Sequence, residues 1–229
     1  MKLLALKSAT QQKHHSNTAA GRIIICKNKR GVVATANSTE VFIYCKFVTF
    51  AGFINNMKAV IPVAGAGTKL RPHTYTQPKA LIPLAGKTVL SFIVDPLIGA
   101  GVNEFIFIVG YLGDKIQDYV NAKYPEIKAH FVRQTDRQGI GHAIRLTKSI
   151  VGSDEMFVVL GDTICEYDIK EVLKSKDSML GVKKVDDPRE FGVAEIDEDG
   201  YVQHVIEKPH IPKSNMALVG VYRIRETAT

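Results

Sequence analysis

Acidic residues are nearly missing from the first quarter of this chain. Residues 1–56 contain Glu40 alone against eight lysines and arginines, and so hold the whole formal net charge of +7. Residues 57–229 carry acidic and basic side chains in equal number, 22 of each. A basic excess confined to one end says nothing about the globular part, and the neutral remainder argues against nucleic acid as a partner. Cysteine is also scarce. Cys26, Cys45 and Cys165 are scattered with no C-x-x-C spacing, which argues against a disulfide framework or a zinc site and makes a reducing, cytoplasmic compartment the expectation. The histidines are dispersed and suggest no metal cluster. No apolar run reaches the about 20 residues a membrane helix needs. With 45% hydrophobic and 23% charged residues, the 229-residue chain reads as globular, with one substantial core.

Two textures divide the chain. Residues 1–56 are rich in Ser, Thr, Asn and Lys, with short apolar bursts at Ile23-Ile24-Ile25 and Val41-Phe42-Ile43-Tyr44. An organellar transit peptide has a similar composition, although the Arg bias of such peptides is missing here. The expectation is an N-terminal extension, disordered or translated from upstream of a start at Met57. From Met57 onward the pattern is regular. Val60–Val63 reads as a strand, Thr88–Ala100 as a helix and Phe105–Val109 as a strand buried on both faces. Lys115–Lys123 reads as a helix, Ala129–Val132 as a strand, Gly141–Ile150 as a helix and Met156–Leu160 as a buried strand. Ile169–Lys174 follows as a helix and Met179–Val182 as a strand. Gly192–Ile196 and Tyr201–Ile206 flank Asp197-Glu198-Asp199-Gly200, a hairpin signal, and Ala217–Tyr222 is a last strand. Strands alternating with helices imply an α/β fold: a mixed, mostly parallel sheet covered on both faces. Functional groups in such sheets lie at the carboxyl ends of strands, where the turn after Val63 and Asp162 both fall.

The turn after Val63 is the most informative stretch. Ala64-Gly65-Ala66-Gly67-Thr68-Lys69-Leu70-Arg71-Pro72 is followed shortly by Gln77-Pro78-Lys79. Small residues let backbone N–H groups close around phosphate oxygens, and Lys69, Arg71 and Lys79 can offset the charge. A dinucleotide fingerprint would need a third glycine where Leu70 stands, and a Walker A loop ending at Gly86-Lys87-Thr88 would need a glycine where Leu81 stands. Both readings fail.

These residues resemble the start of a sugar-1-phosphate nucleotidyltransferase, a nucleoside-diphosphate-sugar pyrophosphorylase. The family pattern G-x-G-T-[RK]-L-x-P, then P-K-x-L-x-P, then G-K is met by Gly65 to Pro72, Pro78 to Pro83 and Gly86-Lys87. Pro62-Val63-Ala64-Gly65 resembles the uridylyltransferase variant. Further motifs follow in family order. Gln134 with Gly139 resembles the base-reading segment, where a glutamine amide offers a donor and an acceptor to a pyrimidine edge. Gly161-Asp162 resembles the G-D whose aspartate binds Mg²⁺. Phe191-Gly192-Val193 resembles the sugar-binding glycine, Glu207-Lys208-Pro209 the E-K-P element, and Ala217-Leu218-Val219-Gly220 the strand that closes the sugar pocket.

The resemblance implies a Rossmann-like, nucleotide-diphospho-sugar transferase fold over residues 57–229, and transfer of a nucleotidyl group from an NTP, dTTP or UTP favoured, to a hexose 1-phosphate. Catalytic roles fall to Lys69, Lys79, Asp162 and Lys208. Nucleotide binding falls to Ala64, Gly65, Gly67, Thr68, Gln134 and Gly139, and sugar-phosphate binding to Gly192, Glu207, Lys208 and Val219. Asp162 is the metal ligand, with Mg²⁺ as cofactor. NTP and sugar 1-phosphate are the partners, with a homo-oligomer possible and no membrane. Two departures stand out. Lys69 replaces the usual Arg, keeping the charge but losing the bidentate fork. A second metal-binding aspartate, implied further along, has no counterpart after Lys208, and Glu226 sits in a different context. The expectation is therefore a domain incomplete at its C-terminal end, and a non-catalytic nucleotide-binding domain or a guanylyltransferase acting on mannose 1-phosphate are the alternatives.

Overall fold

Alternate residues of the central strands bury on opposite faces, and this sets the layers. The computed structural model describes residues 24–27, 57–136, 138–174 and 177–225. Strands β1 (Ile24–Lys27), β2 (Met57–Pro62), β3 (Pro83–Leu84), β4 (Lys87–Thr88), β5 (Glu104–Val109), β6 (Lys128–Arg133) and β7 (Glu155–Val159) come in that order. They are followed by β8 (Met179–Lys184), β9 (Gly192–Ile196), β10 (Val202–Glu207) and β11 (Met216–Ile224). The helices are α1 (Val89–Gly99), α2 (Gly113–Lys123), α3 (Gly139–Arg145), α4 (Lys148–Val151) and α5 (Ile169–Lys174).

On one face, Ala59, Ile61, Phe105, Phe107 and Val109 pack with Leu90, Val94 and Leu97 of α1, Ile116 and Val120 of α2 and Val172 of α5. On the other, Val60, Ile106, Ile108 and Val158 pack with Ala143 of α3 and Val151 of α4. A strand buried on both faces cannot alternate polar with apolar residues, which is why Phe105–Val109 reads as a continuous apolar run. Stacked rings extend this core sideways, with Phe107 centred 6.1 Å from Phe105 and 5.5 Å from Phe131.

The main sheet runs β1-β8-β11-β7-β2-β5-β6, with the β9–β10 hairpin joined to it through β11. The pairs β2–β5, β2–β7 and β5–β6 are parallel; every pairing made by β11 is antiparallel. The chain leaves β2 through α1 to β5 on one side, then through α2 to β6, and returns over the opposite face to β7 on the other side. Such a reversal opens a crevice at the carboxyl ends of the strands, here between β2 and β7.

Most elements follow the sequence reading within a residue or two. The expected helix over Gly141–Ile150 differs: it starts at Gly139 and breaks between α3 and α4. The cause is Thr147, fully buried, whose hydroxyl donates to the Ile144 carbonyl at 2.7 Å and so competes with the helical bonding of that turn. The β3–β4 ribbon was not anticipated; it turns through Ala85 and Gly86, both at positive φ (46° and 83°). Asp197 closes the expected hairpin turn, its carboxylate accepting from the N–H groups of Asp199 at 3.1 Å and Tyr201 at 2.7 Å. Of residues 1–56, Ile24–Lys27 forms the edge strand β1 against β8, and the remainder of that segment lies outside the described residues. No helix among the described residues is long and apolar enough to cross a membrane.

Candidate active site

The glycine loop leaves β2 at the crevice. Val63 extends the strand by one bond, its N–H donating to Ile108 at 2.8 Å, and Ala64 is the last buried residue before the loop. Gly65 is open, with nothing within 4 Å of a Cβ built on it. Gly67 takes a left-handed conformation (φ 60°, ψ 34°) and leads into a single 3-10 turn, Thr68–Leu70. A side chain at Gly67 would be strained by φ and would meet Thr74 Cγ2 at 2.8 Å. Thr74 is the loop's internal brace: it is buried, and its hydroxyl donates to the Gly67 carbonyl at 2.8 Å. No motif marked it. Lys69 projects from the exposed turn. Arg71, a candidate phosphate cation in the sequence, instead lies over the Tyr75 ring at 5.0 Å. The far end of the loop is tied to the first turns of α2 and its approach, where Tyr111 donates to the Tyr75 carbonyl at 2.9 Å and Lys115 to that of Thr76 at 2.7 Å.

Lys79 opens another 3-10 turn, Lys79–Leu81, whose Ala80 and Leu81 are buried. That anchorage aims the lysine back at the crevice, where its Nζ donates to Asp162 Oδ2 at 2.7 Å. Each side chain is about a quarter exposed, 26% and 29%. Asp162 itself is set by Gly161, whose N–H donates to the Pro62 carbonyl at 3.0 Å. The chain just after β7 thus lies directly against the end of β2. Gly110, at the end of β5, allows the same closeness on the other side, since a Cβ there would stand 2.8 Å from the Ala64 carbonyl oxygen.

Gln134 follows β6, its N–H bound to the Val109 carbonyl at 2.8 Å. Its amide nitrogen reaches the Gly139 carbonyl at 3.5 Å and His142 Nδ1 at 3.4 Å. The last group lies on the β9–β10 arm. Glu207 stands opposite Gly192 in register, and a Cβ on Gly192 would approach Glu207 Oε2 to 3.0 Å. Lys208 sits at φ 44° with its N–H on the Phe191 carbonyl at 3.0 Å. Val219, partly buried, lies in an irregular stretch of β11 between Leu218 and Tyr222. There Gly220, at φ 81°, accepts from the Leu160 N–H at 2.9 Å. Cys165 is mostly buried, and that burial pushes its thiol up to about 11, so it is not poised as a nucleophile.

No group of three or more His, Cys, Asp or Glu able to hold a metal is found among the described residues. Glu226 lies outside them. Asp162 nevertheless fits a magnesium ion delivered with a nucleotide, because Mg²⁺ keeps waters and takes one or two carboxylates plus phosphate oxygens rather than a protein cage.

A glycine loop, a lysine and a carboxylate gather at the switch point of a mixed α/β sheet, the place where folds of this class bind their ligands. Residues 58–227 match the model of the nucleotidyl transferase family, and the chain belongs to that family. It is 35% identical over 173 residues to the low-salt glycan biosynthesis nucleotidyltransferase Agl11 of Haloferax volcanii, covering 72% of this chain and 48% of that protein. It is likewise 35% identical over 172 residues to a glucose-1-phosphate thymidylyltransferase of Streptomyces griseus, again covering 72% and 48%. The chain therefore spans about half the length of these curated relatives. A UDP-glucose pyrophosphorylase solved with UDP-glucose shares the fold, with a TM-score of 0.66 at 24% identity over 74% of this chain and 76% of that one.

Proposed function

We propose that residues 57–229 transfer a nucleotidyl group from an NTP, dTTP or UTP favoured, to a hexose 1-phosphate, giving an NDP-sugar and pyrophosphate. The observation that carries this reading is the convergence of the glycine loop, Lys79 and Asp162, with Lys79 and Asp162 2.7 Å apart, at the crevice between β2 and β7. The order of the strands supports it as well. Gln134 leaves β6, two strands and roughly 10 Å from β2, a separation that suits the span from a base edge to a triphosphate. On the other side of β2, β7 brings Asp162 and β11 brings Val219, so that base, phosphates and sugar would lie in strand order.

In this reading the backbone of Ala64–Thr68 cradles the triphosphate, with Lys69 and Lys79 offsetting its charge. Gln134 and Gly139 read the base. Gly192, Glu207 and Val219 line the sugar, and Lys208 holds its phosphate. A phosphate oxygen of the sugar forms a bond to the α-phosphorus while the bond to the α,β-bridging oxygen breaks, and pyrophosphate leaves with that oxygen. Both reactants are anions, so the work of the chain is charge neutralisation and in-line positioning, with no covalent enzyme intermediate. Mg²⁺, held by Asp162, would supply charge at the α-phosphate.

Release of pyrophosphate from dTTP, UTP, CTP or GTP with glucose 1-phosphate or mannose 1-phosphate, in the presence of Mg²⁺, tests the proposal. Release with dTTP or UTP and glucose 1-phosphate is expected. Release with GTP and mannose 1-phosphate would move the reading to guanylyl transfer. Nucleotide binding without release from any pair would replace it by a binding domain, a reading that fits the lack of a group of three or more metal-binding side chains among the described residues.

A further inference from the structure

We propose that His142 is a positioning residue that fixes the Gln134 amide with its oxygen outward. The site then takes nucleotides whose base presents a ring N–H (uracil, thymine, guanine) and disfavours those that present a bare ring nitrogen (cytosine, adenine). This rests on the reading of Gln134 as the base-contacting residue.

A glutamine side chain has two N–H donors and one accepting oxygen. Gly139 faces it with a carbonyl, which can only accept, and the amide nitrogen is the group turned toward that carbonyl, at 3.5 Å. The same nitrogen stands 3.4 Å from His142 Nδ1. With Nδ1 as the accepting ring nitrogen and the ring proton on Nε2, the amide nitrogen has an acceptor in each direction. Both amide hydrogens are then engaged within the protein, and Oε1 is the atom left for a ligand.

The surroundings hold this arrangement. Gln134 is pinned through its backbone to Val109 at 2.8 Å. Gly139, at φ 88°, turns the chain into α3, and Ala143, next to His142, is buried in the core and sets the rotation of that helix. An accepting oxygen pairs with the N3–H of uracil or thymine and with the N1–H of guanine. Opposite cytosine N3 or adenine N1 it would leave two acceptors facing each other, a mismatch that discriminates more strongly than a lost contact.

The test compares UTP with CTP, which differ at this edge and not in ring size. Affinity for each is measured by titration calorimetry, and kcat/KM by pyrophosphate release with glucose 1-phosphate, for the full chain and for His142→Leu and His142→Asn. The unaltered chain is expected to favour UTP. Loss of one orienting hydrogen bond in His142→Leu should reduce the UTP:CTP ratio about five- to tenfold. His142→Asn, whose Oδ1 can accept in place of Nδ1, should stay within about twofold of the unaltered chain. His142→Ala gives the same reading should the leucine variant unfold. Equal affinity of the unaltered chain for UTP and CTP, a ratio unchanged in His142→Leu, or an equal fall in the leucine and asparagine variants overturns the inference. Residue-142-dependent selectivity without pyrophosphate release upholds it and removes the transferase reading; turnover with selectivity indifferent to residue 142 does the reverse.

Discussion

Gly161 has no room for a side chain. A Cβ there would overlap Val63 Cγ1 and stand 2.8 Å from the Pro62 carbonyl oxygen. Neither strand end can yield without moving the glycine loop or Asp162. Gly161→Ala should therefore destabilise the protein by about 1–3 kcal/mol, the usual cost of overpacking, read as a lower midpoint in urea unfolding. The neighbouring Lys79–Asp162 pair has a different consequence. In the free protein the ammonium occupies a carboxylate oxygen that a divalent cation would need. Lys79→Met should thus bind Mn²⁺ more tightly than the unaltered chain in the absence of nucleotide, as followed by electron paramagnetic resonance, whereas Lys69→Met should not; equal affinities in the Lys79 variant would remove Lys79 as a competitor. If Asp162 acts on the transferring phosphate, Asp162→Ala should lower kcat by about 100-fold or more while changing NTP affinity less. Unchanged turnover would take Asp162 out of that role.

Helices α1 and α2 are joined by a polar tie at the start of α1. The Thr88 hydroxyl accepts from the Ser91 N–H at 3.1 Å and meets the Tyr119 hydroxyl at 2.9 Å. Lys123 donates to Ser91 Oγ at 2.6 Å and lies 5.6 Å and 5.2 Å from the ring centres of Tyr119 and Tyr124. Tyr124 in turn donates to Asp95 at 2.6 Å. Ser91 is fully buried, so this group fastens the two helices from within their interface. Thr88→Val keeps the shape and removes the cap; a loss of about 1 kcal/mol is expected by urea unfolding. The helices themselves were legible from apolar spacing and from the Gly99-Ala100-Gly101 stop. The break before Thr147 was not, because a threonine inside a helical pattern signals nothing until its hydroxyl has a carbonyl to reach.

At the scale of the whole molecule, the two ends of the parallel strands are built differently. Opposite the crevice, at the amino ends of the parallel strands, Lys58, Glu104, Lys128, His130 and Asp154 form a network. Glu104 takes Lys128 at 3.1 Å and His130 at 2.9 Å, and Lys58 reaches Asp154 at 2.9 Å and Glu104 at 3.6 Å. Burial alone would raise the Glu104 carboxyl, but hydrogen bonds from Lys128 and His130 and the nearby Lys58 charge together hold it below its ordinary 4.5. A carboxyl depressed in the folded state adds stability above its unfolded value and loses it as pH falls through the folded one. Thermal stability should therefore fall as the pH drops below that ordinary 4.5, and Glu104→Gln should flatten that decline; an identical slope in the variant would exclude Glu104 as its source.

The sequence by itself determined the strands buried on both faces, the glycine loop and the hairpin turn at Asp197–Gly200. Each of these depends on residues within a few positions of one another: an apolar run, a backbone that must take positive φ, a side chain that caps its own turn. Its motifs also identified the family. Only the tertiary structure decided which of those residues meet. Lys79 and Asp162 are 83 positions apart and are brought together because β7 pairs with β2, a choice made by two apolar faces packing against separate helices. Spacing along the chain carries no record of such a meeting, because the partner of a side chain this far away is set by what the fold puts beside it.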